Sequence, residues 1–86
     1  MMITKQAVAD KIAAYLHHEI SLVQLVDWAE SAVMDAEFPE RDAKTLSSVV
    51  ARLGVADVRA FGLAWEDCEE LLHRIGFSPR VEVVAA

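Results

Sequence analysis

Glu66, Glu69, Glu70 and His73 are the residues whose types and spacing come nearest to chemistry. At the helical period they share roughly a 100° arc. Glu70-Leu71-Leu72-His73 also has the Glu-x-x-His spacing with which di-metal helical bundles offer a carboxylate and an imidazole to one ion. Such bundles need a second copy of that motif and glutamates from two more helices, all directed inward. The other histidines, His17 and His18, follow no Glu at that spacing. Trp65, Cys68, Leu72 and Ile75 already claim the inward face of the same helix. Helix electrostatics account for the cluster without a metal. Acids sit near the helix start, and Glu69 with His73 and Glu70 with Arg74 form i,i+4 pairs. No metal and no cofactor is therefore expected.

Other reactive types lack context. His17 and His18 are neighbours, so a helix holds them about 100° apart, and one metal cannot take both without another element. Their expected role is at a helix C-terminus, where imidazolium complements the dipole. Cys68 lies on an apolar face among Glu66, Asp67, Glu69 and Glu70, and acidic neighbours disfavour a thiolate, so it reads as a core residue. Ser47 and Ser48 have no glycine elbow, and the glycines form no phosphate loop. Catalysis has no visible seat, and the chain is expected to be non-catalytic.

What must position these residues is one domain of 86 residues, 55% hydrophobic and too apolar for disorder. A single cysteine allows no internal disulfide. Lys5, Gln6, Asp10 and Lys11 interrupt any signal-peptide core, and no apolar run approaches bilayer length. A reducing cytoplasm is the expected location. Fourteen acidic against eight basic residues give a net charge of −6, with no basic stripe. That balance repels phosphate backbones and anionic membranes and attracts basic proteins.

The pattern predicts an all-α, compact antiparallel bundle of four main helices, one short helical turn and an extended C-terminal tail. Thr4 caps a first helix reaching about Glu19, with Val8, Ile12, Tyr15, Leu16 and Ile20 on its apolar face. Ser21 and Gln24 match a capping box, stapled by Ile20 and Leu25. The second helix spans Leu22 to about Asp35 and turns Leu22, Leu25, Val26, Ala29, Ala32 and Val33 inward. Phe38-Pro39 marks a break, with Pro39 suited to a first helical position. The third helix points Ala43, Leu46, Val49, Val50 and Leu53 inward and is expected to end on a left-handed Gly54, with Val55 against Val50. Asp57 to Phe61 reads as the short turn, closed by Gly62. A last helix from Ala64 or Trp65 gathers Trp65, Cys68, Leu71, Leu72 and Ile75, and Gly76 ends it with Phe77 against Leu72.

One surface stands out. Val23, Asp27, Glu30 and Met34 follow an i, i+4, i+7, i+11 stripe on the wet side of the second helix, and Asp35, Glu37, Glu40 and Asp42 continue the acidity. Ordinary solvation explains such a face. The functional alternative is a site for a basic protein partner, anchored by Val23 and Met34. Residues 78–86 form the tail, and Phe77, just before it, joins Val81, Val83 and Val84 in placing large apolar side chains after the last cap. Such a tail is expected to dock on its own bundle or on a second copy, forming a homodimer.

Tyr15-Leu16, Glu19-Ile20-Ser21, Leu25 and Trp28-Ala29 resemble the helix–turn–helix opening of small acidic bacterial immunity proteins, such as those for colicin D and related contact-dependent toxins. The resemblance covers about the first third of the chain, and the stretch from Ala56 to Cys68 has no counterpart in it. It implies a helical bundle that masks a basic toxin site with acidic side chains, the acids from Asp27 to Asp42 being the nearest match in character. The reading is thus a non-catalytic interaction module, an immunity- or antitoxin-like inhibitor. A structural or regulatory homo-oligomer is the alternative, and a metal-binding bundle using Glu66, Glu70 and His73 is the third.

Overall fold

The computed structural model describes residues 2–80 and 83–85, and these form an all-α fold with no strand among them. Four helices follow in order: α1 Lys5–Leu16, α2 Leu22–Asp35, α3 Ala43–Gly54 and α4 Trp65–Arg74. The radius of gyration, 12.8 Å, is close to the roughly 12 Å of a compact chain this long.

Local hydrogen-bond chemistry sets most boundaries. Thr4 caps α1, its hydroxyl accepting from Ala7 N–H at 3.2 Å. The helix stops at Leu16, three residues short of the Glu19 that its apolar spacing suggests. His18 adopts the left-handed region (φ 62°), His18 N–H reaches Tyr15 O at 3.1 Å, and Glu19 N–H reaches Ala14 O at 2.8 Å. These two bonds make a Schellman cap on a residue other than glycine. Ser21 then opens α2 with both halves of the capping box.

Pro39 begins a turn instead of α3: Asp42 N–H donates to Pro39 O at 2.9 Å, and the helix starts one residue later. Gly54 is the last residue of α3 and is not left-handed. Val55, in a right-handed conformation (φ −108°, ψ 10°), follows it without the expected Schellman bonds. The glycine instead faces α2, where an added Cβ would lie 3.8 Å from Glu30 Cγ and 4.0 Å from Ala29 Cβ. Residues 55–62 make successive turns without becoming a helix, and Gly62 (φ 62°) closes them. At the end of α4 the Schellman motif forms as its residues dictate. Gly76 (φ 88°) donates to His73 O at 3.1 Å and Phe77 to Leu72 O at 2.9 Å.

The core is one cluster drawn from every helix: Val8 and Ile12, Leu25 and Ala29, Leu46, Val49, Val50 and Leu53, Cys68, Leu71, Leu72 and Ile75. The most extensive helix pair is α2 with α3. Ile3 joins the core although it precedes α1. Its N–H donates to Glu37 O at 2.8 Å, and Met2 forms a single parallel bridge with Glu37, tying the N-terminal segment to the α2–α3 connection. Val33 departs from the wheel and is 54% exposed. A wheel gives a side chain's direction, and burial also needs an opposing element, which the last turn of α2 lacks at that point. Leu22 and Ala43 are only half-buried.

Candidate interaction surface

On α2 the exposed face carries Val23 (62% exposed) and Met34 (81%), with Asp27 and Glu30 between them. Val33 widens the apolar part, and Asp35 lies exposed at the helix end. The capping box fixes the start of this face: Gln24 Oε1 accepts from Ser21 N–H at 2.8 Å, and the Ser21 hydroxyl accepts from Gln24 N–H at 3.2 Å. Glu37 and Glu40 are exposed in the connection to α3. Asp42 is different, being half-buried and 3.7 Å from Lys5 Nζ, so part of its charge is spent inside the molecule. Large apolar side chains set among acids that have no ion pair among the described residues form a surface able to take a partner that is both basic and partly apolar.

The tail residues separate. Phe77 is packed against the core. Val83 and Val84 are 96% and 77% exposed, and Val81 lies outside the described residues.

The α4 cluster does not converge. Glu70 Oε1 accepts from Arg74 Nη2 at 2.7 Å, and His73 Nε2 lies 3.3 Å from Ser78 Oγ. Among the described residues no three His, Cys, Asp or Glu side chains come together as a metal site would require. His17 and His18 are both exposed, and their backbones end α1. Ser47 donates its hydroxyl to Lys44 O at 3.2 Å, a local helix contact. Cys68 is fully buried, and its thiol is pushed up to about 11, chiefly by loss of hydration and next by the Asp67 charge, with Arg52 opposing. A thiol held neutral in this way is a poor nucleophile.

Trp65, expected inside, is 37% exposed because it lines a groove of about 340 Å³ between α1 and α4, with Ala13, Leu16 and Phe77 among its walls. Residue spacing also overlooks Arg52, whose guanidinium lies over the Phe61 ring at 5.6 Å and beside Asp67 at 3.7 Å. The one available signal is the i, i+4, i+8 series Lys44, Ser48, Arg52 along α3.

No family model, no curated protein and no solved structure matches this chain. No helix among the described residues is long and apolar enough to cross a membrane.

Proposed function

We propose that this chain is a non-catalytic interaction module whose α2 face binds a basic protein partner, in the manner of an immunity- or antitoxin-like inhibitor. The observation that carries this reading is the co-location of exposed Val23 and Met34 with Asp27 and Glu30 on one helix face. Val23 and Met34 at the two ends of the stripe supply apolar contact energy, and the acids between them steer and orient a cationic partner. The net charge of −6 favours the same class of partner. The resemblance to the opening of bacterial immunity proteins gives the reading its specific form, with an antiparallel bundle as scaffold and an extended tail beyond it.

The test is capture with a photo-crosslinker at position 23 or 34, followed by affinity measurement on the isolated pair. A basic partner is expected, bound more weakly as salt rises. The variant Val23→Ser/Met34→Ser and the variant Asp27→Lys should each lose at least tenfold in affinity, whereas Arg59→Ala should lose none. A partner that is not basic, or affinity indifferent to the α2 variants, overturns the proposal.

A second reading, a homo-oligomer joined through the tail, is favoured by the exposure of Val83 and Val84. Phe77 is already engaged with its own core, so these valines and Val81 would supply the contact. Sedimentation of the full chain and of a chain ending at Ser78 decides it: two monomers exclude the tail as an interface.

A further inference from the structure

The solvent side of α3 meets α4 across a hollow of about 280 Å³, into which Ser48, Arg52 and Arg74 project together with Asp67 and Glu70. A second hollow of about 340 Å³, lined by Lys44, Thr45, Ser48 and Arg74, adjoins it through the last two residues. Three of the eight Lys and Arg residues therefore line one trough in a chain that is acidic elsewhere.

The two carboxylates of the trough have other employment. Asp67 Oδ2 accepts from Ala64 N–H at 2.8 Å and so serves the start of α4. It stands 3.7 Å from Arg52 Nη2, beyond hydrogen-bond range. Glu70 holds Arg74 in an i,i+4 pair with side chains 63% and 46% exposed, and such pairs give way to competing partners at little cost. Arg52 is the exception among the cations. Its side chain is 25% exposed, and its buried Nη1 has no hydrogen-bond acceptor among the described residues. A guanidinium presents donors only, so an unsatisfied Nη1 is a standing cost, and because that atom is closed to solvent as the side chain stands, it must turn outward to meet an acceptor oxygen. Stacking on Phe61 and a loose ion pair hold this group, which leaves it able to turn a pair of donors toward a ligand.

We propose that the α3–α4 trough is a site for a phosphoryl group. In the first hollow Arg52 supplies the forked contact, Arg74 adds charge and the Ser48 hydroxyl completes the donor set, while Lys44 and Thr45 line the second. Two guanidinium forks and a hydroxyl exceed what one carboxylate can accept, and they suit the three terminal oxygens of a phosphate monoester. The ligand is inorganic phosphate or the phosphate of a small ester, and the second hollow has room for the organic part.

An amide NMR titration of the full chain at constant ionic strength tests this, with inorganic phosphate and adenosine monophosphate as probes and chloride as reference. Saturable shifts are expected at Ser48, Leu71 and the Arg52 side-chain N–H, with a matching rise in Tm. Arg52→Lys should weaken binding at least tenfold, and Arg52→Gln should abolish it. If Arg52→Gln does not fold, Arg74→Gln and the wild-type map carry the test. Tighter binding of the nucleotide assigns the trough to phosphate esters, and equal binding assigns it to the free anion. Shifts that fail to saturate with either probe, or wild-type affinity in a folded Arg52→Gln, overturn the site.

Discussion

Ser21 and Gln24 cap each other's backbone: Ser21 Oγ accepts from Gln24 N–H at 3.2 Å, and Gln24 Oε1 accepts from Ser21 N–H at 2.8 Å. Without the hydroxyl, one donor at the start of α2 returns to water. Ser21→Ala should lower stability by about 0.5–2 kcal/mol. The denaturation midpoint should fall with the m value unchanged, and an unmoved midpoint would show that the cap contributes nothing.

Left-handed positions separate substitutions that look alike in sequence. Gly76, at φ 88°, should lose about 1 kcal/mol or more on change to Ala. Gly54→Ala should be neutral or stabilising by up to about 1 kcal/mol. That residue ends a helix with ordinary backbone angles, and its new Cβ would meet Glu30 and Ala29 at normal contact distance. His18→Gly should stabilise by roughly 0.5–1 kcal/mol, since a β-carbon is strained at φ 62°. Thermal melts of the three variants check the order.

Cys68 makes stability depend on alkaline pH. Its folded thiol ionises near 11, against 9.0 ordinarily, so the unfolded chain releases its proton first. The contribution is complete below pH 9 and is lost as pH rises toward 11, amounting to roughly 2–3 kcal/mol over that window. Cys68→Ala costs stability at neutral pH but should flatten this part of the profile. Equal slopes in the two proteins between pH 9 and 11 would refute the assignment.

Where the fold was legible, the signal was chemistry confined to a few neighbouring residues. The Ser21 box and the Gly76 Schellman turn need only short stretches of chain, and both form as their residue types dictate. The end of α1 was not legible, because His18 takes a conformation usually left to glycine. Gly54 misled for the opposite reason: its φ is not left-handed, and the space beside α2 admits a Cβ at ordinary contact distance, so neither a backbone twist nor a close approach requires glycine there. Periodicity located the exposed Val23 and Met34 but not the exposure of Val33, which depends on what stands opposite. The Arg52 trough needs α3 and α4 side by side, an arrangement no single stretch of sequence encodes.

The hydrogen bond from Ile3 to Glu37 sets an order of events in time. It joins segments distant along the chain, whereas α2 and α3 are sequence neighbours with the most extensive contact. Closing the larger loop sacrifices more chain entropy before any contact rewards it. The α2–α3 pair should therefore form in the folding nucleus, and the N-terminal segment should dock afterwards. Truncating the buried Ile3 to Ala should then accelerate unfolding and leave the refolding rate nearly unchanged, whereas Leu53→Ala should slow refolding. Stopped-flow chevrons of the two variants measure both limbs, and a slowed folding limb in Ile3→Ala would place this first strap of chain inside the nucleus.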